Sequence, residues 1–389
     1  MKKNYFIIIF VLCFCSCQKE LPQTDASPAE VDVYVAGYTS DFANDPYPVF
    51  NPYSSSDEHP TYWKNGSPVQ LHFDNSITND RNSGRASAIA VSGNNVYVVG
   101  FGTLFSYTRG QLPYGVFWKN GIPADHGSMN LYDTYELYSL AVSNNDVFMA
   151  GWGPRAEATY WKNENRIALT PAYSPPNLNI LATATSIAVS GNDVYVSGAQ
   201  QEQLSPVGGW SNVIAEYWKN GNLVKLTDGS KDTYTTSIAV SGTDVYVAGS
   251  DIVYVNGADV SGVAKYWKNG NLVNLTDGST GAEANSIAVS GSDVYVGGTQ
   301  WDGNAINYSD GYTVYRRNPI AKYWKNGMPV NLTDGSKWAE AKSIVVSGTD
   351  VYVAGFEGGV AKYWKNGNPL ILGDVSKKSE AYSIFLVKK

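Results

Sequence analysis

The sequence predicts an all-β fold, a seven-bladed β-propeller in which each blade has four antiparallel strands. Three short phrases lead to this prediction, because each of them recurs seven times within the 389 residues. The first is typified by SIAVSG, the second by DVYVAG, and the third is a tryptophan followed by Lys-Asn. Successive repeat tryptophans are 40 to 57 residues apart, as from Trp324 to Trp364 and from Trp267 to Trp324. That spacing is typical of one propeller blade.

The composition agrees with many short strands joined by turns. Aromatic residues make up 13 % of the chain, charged residues only 16 %, and 38 residues are glycine. Val, Tyr, Trp and Thr are enriched in strands, and glycine is frequent in tight turns. The net charge of -7 argues against nucleic acid as a partner, since binding it requires a basic surface.

The phrases predict the four strands of each unit and the turns between them. SIAVS and DVYVA are rich in β-branched and aromatic residues, and the Gly-x-Asp between them is a tight-turn signal. The third strand carries the tryptophan, and an Asn-Gly turn such as Asn269-Gly270 leads to the fourth strand. Asn and Gly tolerate the left-handed dihedrals of a two-residue hairpin. In the third unit Glu164 replaces this glycine, so we expect a different turn there.

The two ends of the repeat region predict how the ring closes. The repeats begin with a second strand, residues 32–37, and finish with a first strand, residues 383–387. The C-terminal strand can therefore complete the blade that the N-terminal strands begin, which leaves no free blade edge in the ring. An open array of repeats would instead need polar caps at both ends.

In these phrases the chain resembles bacterial propeller repeats of the kelch-like kind and of a kind with the pattern SIAVDxxGNVYVTG. The resemblance covers residues 31–389. It implies a seven-bladed architecture for that domain. It implies no particular activity, because propellers occur both as binding proteins and as enzymes.

The first twenty residues, MKKNYFIIIFVLCFCSCQKE, predict an export signal. Two lysines precede an apolar run from Tyr5 to Cys15, which has the form of a signal peptide and is too short to span a bilayer stably. The run ends in small residues and cysteines, and in this it resembles a bacterial lipoprotein signal. The resemblance implies a signal peptide over residues 1–16 and a lipid on Cys17, with Cys15 as the alternative position.

Lipid on Cys17 would hold the protein at a membrane through its acyl chains. Residues 17–30 would then form a flexible tether, since LPQTDASPAE is polar and rich in small residues. Residues 18–20, Gln-Lys-Glu, resemble the export signals of bacteroidete-type surface lipoproteins. This resemblance implies an outer-membrane lipoprotein exposed at the cell surface, and a lipoprotein that faces the periplasm is the alternative.

Function is expected where the seven copies differ, because the repeat itself serves as scaffold. In an antiparallel blade, the variable connections from second to third strand emerge on the same face as the crossovers between blades. We expect this long-loop face to bind a glycan or a partner protein through exposed aromatic residues. The candidates are Trp152, Trp210, Trp301, Trp338, Tyr308 and Tyr312. The alternative is that they pack the long loops onto the propeller.

A second set of candidates lies just before the first-strand phrase, at the predicted mouth of the central channel. The position directly before the phrase varies between units, and its candidates are Tyr138, Lys342 and Tyr382. Two residues earlier, four units carry a carboxylate, at Glu136, Glu283, Glu340 and Glu380. A ring of carboxylates could hold a cation such as Ca²⁺ or a basic ligand group, and the alternative is a set of copied solvent-facing residues. We expect no other cofactor.

The sequence favours a binding module over an enzyme. It contains no Gly-x-Ser-x-Gly elbow, Walker loop or HExxH motif, and its LTDGS phrase only superficially resembles the box of sialidase-like propellers. One alternative is a polysaccharide hydrolase or lyase with paired carboxylates at the channel mouth, for which Asp45, Asp302 and Asp310 are candidates. Another is a structural subunit of an outer-membrane complex. The oligomeric state is left open, with a monomer as the simplest expectation.

Overall fold

The computed structural model describes most of the predicted propeller domain. The described residues are 30–43, 58–73, 83–106, 110–124, 136–153, 156–163, 165–171, 180–204, 209–255, 258–301, 306–307, 314–315 and 319–389. Within these ranges the chain forms thirty β-strands, and no helix there is long and apolar enough to cross a membrane. The predicted signal peptide and Cys17 lie outside the described residues, so the lipid anchor stays a prediction.

The strands form seven four-stranded blades. Blade 1 contains β1 (Val31–Ala43), β2 (Glu58–Lys64), β3 (Ser67–Gln70) and the last strand, β30 (Lys377–Lys388). Blade 2 contains β4 (Ser83–Ser92), β5 (Asn95–Ser106), β6 (Gly110–Lys119) and β7 (Ile122–Pro123). Blade 3 contains β8 (Glu136–Ser143), β9 (Asp146–Trp152), β10 (Ala158–Lys162) and β11 (Asn165–Ala168).

The remaining blades follow in chain order. Blade 4 contains β12 (Ile180–Ser190), β13 (Asp193–Glu202), β14 (Ile214–Lys219) and β15 (Asn222–Lys225). Blade 5 contains β16 (Thr233–Ser241), β17 (Asp244–Val255), β18 (Ala258–Lys268) and β19 (Asn271–Asn274). Blade 6 contains β20 (Ala282–Ser290), β21 (Asp293–Trp301), β24 (Pro319–Lys325) and β25 (Met328–Asn331), with β22 (Ile306–Asn307) and β23 (Val314–Tyr315) paired separately. Blade 7 contains β26 (Ala339–Ser347), β27 (Asp350–Glu357), β28 (Val360–Lys365) and β29 (Asn368–Ile371).

The blades close into a ring. The inner strands β30, β4, β8, β12, β16, β20 and β26 each contact the inner strand of the next blade, and β30 contacts both β26 and β4. Within blade 1, β30 pairs antiparallel with β1, so that Tyr34 lies opposite Phe385. The prediction of a seven-bladed propeller closed by the C-terminal strand is therefore confirmed.

The repeat tryptophans hold neighbouring blades together. Trp267 of blade 5 is 2 % exposed and packs in one cluster with Tyr195 and Ala215 of blade 4. The same arrangement recurs at every interface, including the closing one, where Trp63 of blade 1 packs against Tyr352 of blade 7. Burial of a large aromatic side chain at each interface is a main source of cohesion between blades.

The Lys-Asn-Gly turn is also structural. Asn269 adopts a left-handed φ of +52° and Gly270 one of +82°, as a two-residue hairpin requires. The Asn269 Oδ1 accepts a hydrogen bond from the Val245 amide (2.8 Å), and its Nδ2 donates to Asp244 (2.8 Å). Equivalent bonds tie the turn to the second strand in all seven blades. Glu164 lies outside the described residues.

The Thr-Asp-Gly-Ser phrase forms a turn that ends the outer strand. The Thr276 hydroxyl accepts a hydrogen bond from the Ala264 amide at 3.1 Å, and the Asp277 carboxylate accepts one from the Ser279 amide at 2.9 Å. A carboxylate bound to the backbone two residues on is a common turn device. The phrase is thus explained by local structure.

A ring of serine hydroxyls links the inner strands. The Ser237 hydroxyl of blade 5 accepts a hydrogen bond from the Ile287 amide of blade 6 at 3.2 Å. Five further bonds of the same kind join successive blades. Blade 2 carries Ala88 at the serine position, and so it cannot make the bond toward blade 3.

We expect Ser237→Ala to lower the free energy of unfolding by about 1 kcal/mol, because it leaves a buried amide without its acceptor. Ala88→Ser should raise it by up to about 1 kcal/mol, since a seventh bond becomes available. Chemical denaturation of both variants measures these changes. Ser241→Ala, on the same strand as Ser237 but without a bond in this ring, is the control, and an equal loss in that variant would contradict the assignment.

Candidate functional site

Each inner strand carries a β-bulge directly before the repeat serine, or before Ala88 in blade 2. In blade 6, Ala284 lies opposite Gly298 and Ser286 opposite Gly297, so that Asn285 is skipped in the pairing. The skipped residue is the variable position of each unit: Ser87, Tyr138, Thr185, Thr236, Asn285, Lys342 and Tyr382. A bulge re-aims one side chain without interrupting the rest of the strand.

The seven bulge residues come together at one cavity. All of them line a cavity of about 470 Å³, together with Arg85, Phe101, Thr183 and Thr235. Because the lining includes a residue from every inner strand, the cavity lies at the mouth of the central channel. The chain enters each inner strand from the blade crossover on the long-loop face, and the bulge follows this entry. This mouth of the channel therefore opens on the long-loop face. Its volume is within the range of small-molecule sites.

Blades 1 and 2 contribute a hydrogen-bonded chain to this cavity. The Arg85 guanidinium donates to both carboxylate oxygens of Glu58, at 2.5 and 2.6 Å, and to the Tyr382 hydroxyl at 3.0 Å. Tyr382 in turn donates to Glu380 at 2.7 Å. Burial first and the charge of Glu380 second hold the pKa of Tyr382 well above its ordinary value, although Arg85 acts in the opposite direction. The phenol therefore keeps its proton, and the side chains are held in fixed orientations.

Lys342 provides a positive charge beside the predicted carboxylate ring. It forms an ion pair with Glu340, which also accepts a hydrogen bond from the Trp338 indole at 2.9 Å. Burial works against its ammonium form, but the attraction of Glu340, Glu380 and Glu283 outweighs burial and raises the pKa of Lys342. Among the residues described, no three acidic, histidine or cysteine side chains form a group that could hold a metal ion.

The other lining groups are neutral and are oriented by the scaffold. The Asn285 amide donates to the Ala341 carbonyl at 2.9 Å, and the Thr236 hydroxyl donates to the Ala284 carbonyl at 2.7 Å. A hydroxyl or amide that donates to the backbone keeps an acceptor oxygen for a ligand. Burial, and then the nearby Glu136, raise the pKa of Tyr138, so this phenol also stays protonated. The cavity thus offers neutral hydrogen-bonding groups together with the aromatic rings of Tyr138 and Tyr382.

The aromatic candidates of the long loops differ in how deeply they are buried and in whether they line a cavity. Trp152 is half-buried and lines a second, smaller cavity, whereas Trp210 is 38 % exposed. Trp301 is only 4 % exposed, so the expectation of an exposed ring is wrong there, because the side chain packs into the fold. Trp338 does not line the channel-mouth cavity, but it donates a hydrogen bond to Glu340, which pairs with the lining residue Lys342. The remaining candidates lie outside the described residues: Tyr308, Tyr312, Asp45, Asp302 and Asp310.

Sequence reasoning did not identify Arg85, Phe101 or Thr183 as lining residues. A signal for Arg85 was present, since it occupies in blade 2 the position that holds Glu136, Glu283, Glu340 and Glu380 in other blades. A cation at a position that is acidic in four other blades indicates a charge pair. Its partner Glu58 is 27 residues away in the sequence, and only the folded ring brings the two together.

No family model and no curated protein matches the chain. Among solved structures it is similar to a polysaccharide lyase, Uly1, at 10 % identity over 93 % of this chain and 99 % of the lyase, with a TM-score of 0.40. A thermostable family-43 glycoside hydrolase matches at 12 % identity over 61 % of this chain and 92 % of the hydrolase, with a TM-score of 0.36. A Trypanosoma rangeli sialidase mutant matches at 9 % identity over 92 % of this chain and 52 % of the sialidase, with a TM-score of 0.38. Similarity at this level carries no argument about a shared activity.

Proposed function

We propose that this protein is a ligand-binding propeller, anchored to the outer membrane by a lipid on Cys17, that binds a neutral glycan at the mouth of its channel. One observation carries the proposal. The variable position directly before the first-strand phrase supplies one bulge residue in each of the seven blades, and all seven line a single cavity. A scaffold that is otherwise copied so closely, and that differs at the cavity wall, is suited to recognition of one ligand by individual side chains.

The lining chemistry supports a ligand rich in hydroxyl groups. The Asn285 amide can both donate to and accept from sugar hydroxyls, whereas the Thr236 and Thr185 hydroxyls already donate to main-chain carbonyls and can accept from sugar hydroxyls. Tyr138 and Tyr382 add aromatic rings, which can pack on the C–H face of a sugar while their hydroxyls bind its rim. A glycan combines these two kinds of surface in one molecule.

The balance of charge at the mouth supports a neutral ligand. The cations there are already paired: Arg85 with Glu58, Lys342 with Glu340, and Lys378 with Glu380. Glu283 also attracts the Lys342 ammonium group. An acidic polysaccharide would have to compete with carboxylates that already hold the cations, and such a replacement costs free energy for buried charge pairs.

The proposal predicts that Asn285→Ala and Tyr138→Ala each weaken glycan binding by about tenfold, because each removes a preorganised contact worth roughly 1 to 1.5 kcal/mol. The purified full-length protein would be screened against neutral glycans, and affinities for the best ligand measured by calorimetry. Asn222→Ala is a matched control, since Asn222 also donates its amide to a main-chain carbonyl (3.3 Å) but lies on the outer strand of blade 4.

Thermal melting separates binding from folding in these variants. The melting temperatures of Asn285→Ala and Tyr138→Ala should stay within a few degrees of the parent value. Unchanged affinity in both folded variants would overturn the proposed site. Failure of every glycan to bind, with binding of an outer-membrane protein instead, would favour the structural alternative.

A further inference from the structure

A second cavity, the side cavity, adjoins the channel mouth across blades 3, 4 and 5. It has a volume of about 140 Å³, and its wall includes Trp152, Thr183, Gln200, Gln201 and Tyr234. Thr183 also lines the channel-mouth cavity. Because one residue forms part of both walls, the side cavity adjoins the channel-mouth cavity at Thr183 and continues from there to Trp152.

Trp152 is held by a rigid strand. It ends β9, where it lies opposite Ala158 on β10 and opposite Glu136 on β8. Pairing on both sides fixes the backbone position, and the half-buried side chain keeps part of its ring at the cavity wall. An aromatic ring on a regular strand is a more accurate platform than one on a loop.

Two glutamines whose amides have fixed orientations, Gln200 and Gln201, also contribute to the lining of the side cavity. The Gln201 amide donates to the Ser211 carbonyl at 3.1 Å, and the Gln200 amide donates to Glu202 at 3.3 Å. Each carbonyl oxygen of these side chains remains an acceptor. Part of the lining is apolar, from residues such as Val213 and Leu181. The side cavity thus pairs an aromatic ring with amide groups, as the channel mouth does.

We infer that the channel mouth and the side cavity form one extended site for an oligosaccharide, with a terminal sugar in the channel mouth and the next unit against Trp152. This inference rests on the proposed function. A monosaccharide would leave one of the two cavities empty, whereas linked units would occupy both. The two narrow adjoining cavities fit a thin chain better than the broad surface of a folded protein.

The test compares a monosaccharide, a disaccharide and a trisaccharide of the same neutral sugar, with gluco-, manno- and N-acetylglucosamine series as probes. For the full-length protein, affinity should increase about tenfold or more from one unit to two. In Trp152→Ala this gain should be lost while the affinity for the monosaccharide stays the same. Trp152→Phe should retain most of the gain, which shows that the folded wall is intact.

Asn222→Ala serves as the control, because Asn222 lies on the outer strand of blade 4 and does not line either cavity. Equal affinity of the parent protein for one unit and two would overturn the extended site and leave the channel-mouth proposal in place. An equal loss for all chain lengths in Trp152→Ala would also overturn it. Absence of binding to every glycan would overturn both proposals. Competition by unstructured peptides would instead assign the extended site to a peptide ligand.

Discussion

Replacing Trp267 by alanine should lower the free energy of unfolding by about 3 to 5 kcal/mol, as truncation of a buried tryptophan typically does. The side chain is 2 % exposed and packs with Tyr195, Ala215 and Val247, so its removal leaves a cavity between blades 4 and 5. The sequence predicted a blade-packing role for this residue. The structure adds that the effect should fall on the interface between blades rather than on one blade alone.

Chemical denaturation followed by tryptophan fluorescence and circular dichroism would measure the change. Trp210→Ala is the matched control, because it removes the same side chain from a position that is 38 % exposed, and it should change stability by less than about 0.5 kcal/mol. Similar stability of the two variants would contradict the assignment of the repeat tryptophans to the scaffold.

Replacing Glu216 by glutamine should stabilise the protein, with the largest gain at alkaline pH. Glu216 is fully buried on β14, and among the described residues neither of its carboxyl oxygens has a hydrogen-bond partner. Burial raises the pKa of Glu216 from 4.5 to about 8; Lys225 opposes this shift and Glu202 adds to it. In the unfolded chain the carboxyl ionises near its ordinary value, so folding above that pH requires the side chain to take up a proton or bury a charge.

The direction of the pH dependence follows from this shift. The contribution of Glu216 is fully present below about pH 4.5 and is lost as the pH rises to about 8. Since each pKa unit corresponds to about 1.4 kcal/mol, Glu216→Gln should gain roughly 2 to 4 kcal/mol over the parent protein near pH 9, and little at about pH 4. Urea denaturation of both proteins across this range measures the difference.

Two further variants sharpen the test. At the equivalent position of blade 6, Lys322 donates to Gln300 at 2.5 Å, and blade 4 has Gln200 in the place of Gln300. Glu216→Lys should therefore recreate this pair and also remove the loss of stability that Glu216 causes between about pH 4.5 and 8. Glu202→Gln changes a half-exposed carboxylate and should have little effect. A stability difference between parent and Glu216→Gln that is the same at acid and alkaline pH would contradict the prediction.

Much of the scaffold could be predicted because its signals are local and are copied seven times. Strand alternation, the Asn269-Gly270 turn and the tryptophan phrase each depend on a few consecutive residues, and their recurrence removes the ambiguity of a single copy. The position of Asn285 and its equivalents was also visible as variation within a constant frame. The β-bulges at these positions could not be seen in the sequence, since the phrase itself gives no sign that one residue is skipped in the strand pairing.

The functional site was harder to predict than the scaffold, because it depends on contacts between residues that are distant in the sequence. The aromatic loop candidates were chosen by residue type, but burial decides whether a ring can contact a ligand. Trp301 and Trp152 both end a second strand, yet Trp301 is buried and Trp152 is only half-buried. The carboxylates at the channel mouth were identified as candidates for holding a cation or a basic ligand group. The structure adds that the ammonium group of Lys342 lies beside Glu340, because one blade brings the two together.

The sequence by itself determined the number of blades, the strands within them, the closure of the ring and the face on which function was to be sought. Each of these follows from repeated local patterns and from the phase of the two chain ends. Only the tertiary structure decided which side chains share a cavity and which charges are already paired. Arg85 and Tyr382, for example, are 297 residues apart and 3.0 Å from each other, because closure of the ring places the last strand beside the second blade.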